Sequence, residues 1–210
     1  KKLPVVINLS KFYSSEDLDN DYFTTIRGRN YSFISIPKSL EDAIIHFLLT
    51  IFIRKFRDQK DYNSLLIHTS HLTNDADYLA DKVESFILKL EQKLLTGDDD
   101  YYFRRAENAL DEIRSNSKNK LFNDYFDQKY LFPDKIKKTD LLDIILSKKD
   151  SNGEYLYAPL EVVSYHSSNS KDLKHENHTL KFDLKDSEGE KKFKNYIVVG
   201  GNRLSRGLTL

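Results

Sequence analysis

Apolar residues recur at helical spacing over some stretches of the chain and cluster in short continuous runs over others, a pattern that predicts an α/β fold. The first helix is predicted to open at Pro37 and Ser39, with Asp42 three residues past the serine in a capping-box-like arrangement. Leu40, Ala43, Ile44, Phe47, Leu48 and Ile51 form its apolar stripe. Ile45, Leu49 and Phe52 widen that stripe, so the helix should be covered on more than one side. Residues 64–70 read as a short buried strand ending in polar residues. The helix predicted after it carries Ala76, Leu79, Ala80, Val83, Phe86, Ile87, Leu90 and Leu94 on one face, completing a βα unit. Gly97 and the acidic run Asp98, Asp99 and Asp100 close that unit in an exposed turn.

A helical, aromatic-rich stretch follows to about Leu146, with breaks near residues 116–120 and at Pro133, and has the character of an insertion. Residues 150–153 form a turn signal. Residues 160–165 predict the next strand, and residues 179–184 alternate as a strand with one wet side before a polar turn. Residues 196–199 are the last strand. The predicted organisation is a lead-in and capping helix over residues 1–60, an α/β core over 61–97 and 154–210, and a helical insertion over 98–153. Segments 66–69, 160–164 and 197–199 are short, apolar and separated by crossover-length stretches, so they should be neighbouring, mainly parallel strands.

Composition narrows the function classes. A chain of 210 residues, 39% hydrophobic and 31% charged, can bury one sizeable core. Thirty-three basic residues balance 33 acidic ones, so no global field draws the chain to nucleic acid or to an anionic membrane, and any nucleic-acid contact must be local. The absence of cysteine excludes disulfides and thiolate metal sites and fits a cytoplasmic setting. The longest apolar stretch, residues 43–53, contains His46 and is far shorter than the roughly 20 residues that span a bilayer, so no membrane partner is expected.

The strongest candidate chemistry lies at the end of the chain, where the apolar strand runs into Gly200, Gly201, Asn202, Arg203, Leu204, Ser205, Arg206, Gly207, Leu208 and Thr209. Open α/β sheets collect ligand-binding residues at the carboxyl ends of their strands. Glycines there let backbone amides approach a phosphate, and an arginine supplies a bidentate fork for one. In the functional reading Gly200, Gly201 and Asn202 shape the loop, while Ser205, Arg206 and Thr209 face a nucleotide or nucleic-acid phosphate. The structural alternative is a glycine-rich strand exit with Arg206 held in an internal ion pair.

Set against the fifth motif of superfamily 2 helicases, I-L-V-A-T-D-V-A-A-R-G-L-D, this segment resembles it at Ile197, Val199, Arg206, Gly207 and Leu208. It departs at Gly201, Asn202 and Thr209, where the helicase pattern has Thr, Asp and Asp. Leu66, Ile67, His68, Thr69 and Ser70, with the helix bearing Leu79, Ala80 and Val83, are similar to the fourth helicase motif. Together with the phrase over residues 36–47, these segments resemble the Z-one domain family of candidate bacterial endonucleases, with residues 98–157 outside the likeness. The resemblance implies part of the second RecA-like domain of a helicase-type, ATP-coupled DNA-processing or restriction-type protein. It further implies a nucleotide-binding domain upstream as a partner, DNA as the other partner, and ATP and Mg as cofactors of that longer protein. Arg206 then takes the catalytic role, Gly200, Gly201, Asn202, Ser205, Gly207 and Thr209 the cofactor-facing one, and His68, Thr69, Ser70 and Arg203 contact nucleic acid. Because the chain stops at Leu210 within the motif and contains no G-x-x-x-x-G-K-[ST] loop, this piece by itself is expected to bind no cofactor and to hydrolyse no ATP.

Several other groups admit two readings. His68, Thr69 and Ser70 can meet a sugar-phosphate backbone, or serve as a satisfied core histidine and helix caps. His166, His175, Glu176 and His178 lack metal-ligand spacing and read as a polar loop. A metal-dependent nuclease pairing Asp134 or Asp183 with Glu190 and Lys192 is an alternative function, although solvated charges account for those residues more simply. Tyr101, Tyr102, Phe103, Phe122, Tyr125, Phe126, Tyr130 and Phe132 can stack on bases beside Arg104, Arg105 and Lys129, while their helical spacing favours core packing. A non-enzymatic interaction module is the third class.

Overall fold

The computed structural model describes residues 35–59, 62–68, 73–97, 100–117, 132–165 and 194–200. In chain order these form helix α1 (Lys38–Phe56), strand β1 (Asn63–His68), helices α2 (Thr73–Thr96), α3 (Tyr101–Ser117) and α4 (Lys138–Ile145), and strands β2 (Leu160–Tyr165) and β3 (Asn195–Gly200). The strand expected over 179–184 and most of the lead-in lie outside the described residues.

The helix α1 begins one residue past Pro37, whose fixed φ of −65° and ψ of 150° suit an N-cap and whose carbonyl accepts the Leu40 and Glu41 amides at 2.9 and 3.1 Å. Ser39 therefore lies inside the first turn, and the capping box expected of Ser39 and Asp42 does not form. Asp42 instead accepts from Arg105. Ile44, Ile45, Phe47, Leu48, Leu49, Ile51, Phe52 and Ile53 are all buried, which is the cover on several sides that the broad apolar surface predicts. Arg54 and Lys55 occupy the last turn, favourable for the helix dipole, and the chain then leaves through Asp58 in a left-handed conformation. Among the described residues no helix is long and apolar enough to cross a membrane.

The strands form one parallel sheet in the order β1-β3-β2, so the segment last in sequence lies in the middle. This is the neighbouring parallel arrangement expected of segments 66–69, 160–164 and 197–199. Every residue of β3 is buried, as a central strand covered on both faces requires. Toward the helices it presents Ile197 and Val199, flanked by Leu65 and Ile67 of β1 and by Leu160 and Val162 of β2. Tyr196 and Val198 point to the opposite face and pack with Val163, Tyr62 and Tyr165. Burying each of these aliphatic side chains contributes about 1.5–3 kcal/mol, so the middle of β3 is a main source of the sheet's stability.

Helix α2 crosses the sheet with the face read from the sequence: Ala76, Leu79, Ala80, Val83, Phe86, Ile87, Leu90 and Leu94 are all buried. Gly97, at φ +68°, ends it with the left-handed conformation that glycine adopts at low cost. The stretch expected as a helical insertion does supply helices, α3 and α4. Their Tyr102, Ala106, Leu110, Leu141 and Ile144 join the same apolar core as α1 and α2. The Tyr102 ring meets Phe86 edge-on at 5.7 Å, which settles that aromatic as core packing. The turn expected at 150–153 is present. Asp150 accepts the Asn152 and Glu154 amides on its carboxylate at 2.8 and 3.0 Å, and Gly153 takes φ +81°.

Half-buried Tyr157 has its pKa pushed up to about 12, first by burial and then by the charges of Asp140 and Asp143 on α4. Because the folded value exceeds the usual value near 10 of an unfolded chain, the associated stability is complete below about pH 10 and is lost as pH rises toward 12. Denaturant unfolding across that window is expected to show a steeper alkaline loss in the natural chain than in Tyr157→Phe. Equal slopes would remove Tyr157 from the pH response.

Candidate functional site

Parallel strands that end level with one another create a single edge from which all the following segments emerge. Here His68 of β1 and Tyr165 of β2 both lie in register with Gly200 of β3, so the carboxyl ends of the three strands form one line with the glycine at its centre. The structure thus brings together two candidate positions from distant parts of the sequence, His68 and Gly200. Gly200 is buried and has a register partner on each side. The other candidates, Thr69, Ser70, Gly201, Asn202, Arg203, Ser205, Arg206, Gly207 and Thr209, lie outside the described residues, as does the side chain of His68.

Two residues at this edge carry no motif and escape sequence reasoning as site residues. Ser164, on the helix-facing side of β2 and next to its last residue, donates its hydroxyl to Oδ1 of Asp77, which lies on the opening turns of α2. Ser164 is only 7% exposed, whereas the Asp77 residue is exposed, so the bond joins the core to the rim of the edge. A signal did exist: Ser164 continues the core-facing alternation of Leu160 and Val162 with a hydroxyl, and a buried hydroxyl needs a partner.

The amino ends of the strands are held by a different set of contacts. Fully buried Asn195 donates its Nδ2 to the Ala158 carbonyl at 2.5 Å, and its Oδ1 accepts from Nδ2 of Asn63 at 2.7 Å. Its backbone amide donates to the Pro159 carbonyl at 2.7 Å. Beside it Lys194 pairs with Glu161 at 2.5 Å; burial most strongly disfavours the ammonium charge, but the bond to Glu161 and the attraction of nearby acidic groups, Glu161 first, together outweigh it and raise its pKa. Since Asn63 and Leu160 are both register partners of Asn195, these polar contacts favour the observed alignment, and that alignment carries Gly200 to the opposite edge.

The family model of the Z1 domain matches residues 39–210, from the first turn of α1 through β3 and the glycine-rich segment after it. The chain belongs to the Z1 domain family. No curated protein and no solved structure matches it. In this Z1 domain the glycine-rich segment and all three described strands fall within the matched region.

Among the described residues the Asp77 carboxylate at this edge is engaged with Ser164, and no group of three or more His, Cys, Asp or Glu is placed to hold a metal ion. His166, His175, Glu176 and His178 lie outside the described residues. Of the residues considered for a nuclease, Asp134 is 90% exposed and accepts from Arg114 at 3.0 Å, an ordinary surface ion pair, while Asp183, Glu190 and Lys192 are also outside the described residues.

Proposed function

We propose that this Z1 domain forms part of the second RecA-like domain of a helicase-type, ATP-coupled DNA-processing or restriction-type protein. The observation that carries the reading is the position of Gly200. It ends a fully buried central parallel strand, level with the ends of both neighbours, and in open α/β sheets such a line of carboxyl ends is where phosphate-bearing ligands bind. The likeness of residues 197–209 to the fifth helicase motif supports the same edge, because that motif follows a strand of this kind.

In this reading Gly200, Gly201 and Asn202 shape the loop, and Ser205, Arg206, Gly207 and Thr209 face the nucleotide across a cleft between two domains. His68, Thr69, Ser70 and Arg203 contact the sugar-phosphate backbone of DNA. ATP and Mg are held chiefly by an upstream nucleotide-binding domain, and the Arg206 guanidinium stabilises charge that develops on the phosphates. Such a protein changes its grip on DNA as nucleotide binds and closes the cleft.

DNA titrations at two salt concentrations, with and without a non-hydrolysable ATP analogue, test this. The longer protein carrying the domain is expected to bind DNA with an affinity that shifts when the analogue is added. The 210-residue chain, with 33 basic and 33 acidic residues, should bind weakly and more weakly still at the higher salt. An affinity of the longer protein that ignores nucleotide would favour an interaction module without ATP coupling.

A further inference from the structure

Helix α2 follows β1 in the chain and lies over the sheet, and it hydrogen-bonds Ser164 of β2, on the far side of the central strand. Most of that interface is apolar: Ala76, Leu79 and Val83 on the helix, and Ile197, Val199 and Val162 on the sheet, belong to one core. Apolar contacts resist separation but fix direction poorly. The hydroxyl of Ser164 and the carboxylate of Asp77 add a directional, charge-assisted bond at the end of the interface nearest the strand exits. Valine could fill the same strand position without any polar group, so the buried serine and its acidic partner need an account beyond packing.

We propose that Asp77 and Ser164 are a positioning pair that sets the spacing of the outer strand ends around Gly200. Ser164 immediately precedes Tyr165, the register partner of Gly200, while Asp77 belongs to the helix that begins five residues after β1 ends at His68. The bond therefore ties the end of one outer strand to the element leaving the other, with Gly200 between them. Its effect on turnover rests on the function proposed above, in which small misplacements of the carboxyl edge alter a phosphate-facing loop. Neither residue touches the reacting atoms; both act through the position of the strand ends.

The test uses the longer protein and two readouts. In the first, Asp77→Ala and Ser164→Ala each lower DNA-stimulated kcat by about tenfold with a smaller change in KM for ATP, since geometry rather than binding is lost. The double variant falls no further than the worse single one, because both remove the same bond. Asp77→Asn, which keeps an acceptor, and Ser164→Thr, which keeps the hydroxyl, retain most of the turnover. In the second readout, amide exchange in the two alanine variants quickens at Tyr165 and Gly200 while Leu160 and Asn195 at the amino edge are unchanged. Natural turnover in both alanine variants, or equal acceleration of exchange at the two edges, would overturn the pairing. If the unmodified protein shows no DNA-stimulated turnover, the helicase-type reading fails, and the exchange pattern alone decides for or against the positioning pair.

Discussion

Arg206→Ala in the longer protein is expected to lower DNA-stimulated ATP turnover by about 100- to 1,000-fold while leaving the melting temperature nearly unchanged. The size is that of removing one preorganised electrostatic contact from a transition state, about 2.7–4 kcal/mol. The reasoning begins with β3, whose buried central position and level alignment with its neighbours bring the chain to the carboxyl edge at Gly200, six residues before the arginine. A guanidinium near phosphates acts on charge that grows during phosphoryl transfer, so its loss slows the reaction far more than it weakens substrate binding. An arginine in an internal ion pair behaves in the opposite way and costs folding free energy first. Turnover at the natural rate in a well-folded Arg206→Ala variant would remove the residue from the mechanism. A collapse in melting temperature with residual turnover intact would support the structural alternative.

The largest stability effect is expected at Arg105, far from the strand ends. Its guanidinium joins α3 to the start of α1, with Nη1 on Glu41 Oε2 at 2.6 Å, Nη2 on Asp42 Oδ1 at 2.5 Å and Nε on the same oxygen at 2.9 Å. The rings of Tyr101 and Tyr102 lie 5.2 and 5.4 Å from it, and the Tyr102 hydroxyl approaches Glu41 at 3.4 Å. Burial works against the charge on Arg105, but the bonds to Glu41 and Asp42 more than offset this and raise its pKa. Truncation to alanine strands Glu41, only 9% exposed, without its guanidinium, and breaking a buried pair in this way costs about 3–5 kcal/mol. Arg105→Met combined with Glu41→Leu removes the buried pair and should cost much less than Arg105→Ala, since only the more exposed Asp42 is left without its partner. Denaturant midpoints of the three proteins measure this. An Arg105→Ala variant within about 1 kcal/mol of the natural chain would show that the pair is solvated rather than buried.

These contacts mark the boundary of what the sequence discloses. The apolar face of α2 is legible residue by residue, because a long helix against a core repeats its pattern every turn. The strands are legible as apolar runs. Their order is less so: β3 enters between β1 and β2 although it comes last, and periodicity carries no information about which neighbour a strand selects. The start of α1 misleads because Ser39 and Asp42 satisfy a local capping pattern, while Pro37 takes the cap and Arg105, more than 60 residues away in sequence, claims Asp42. The helices of the 98–153 stretch are foreseen, whereas their share in the common core depends on contacts distant in sequence. Of the candidate site, the meeting of His68 and Gly200 follows from reading both as strand ends. The Asp77 and Ser164 bond spans 87 positions and has no local signature beyond a hydroxyl on a core-facing side.

The central claim, that this Z1 domain works as one half of an ATP-coupled cleft, is tested most directly by ATP turnover with and without DNA. The measurement compares the longer protein with the 210-residue chain. The longer protein is expected to hydrolyse ATP at a rate that DNA raises, and the chain, which lacks a phosphate-cradling loop, to show no turnover above background. Robust turnover by the chain, or none by the longer protein in the presence of DNA, would contradict the account.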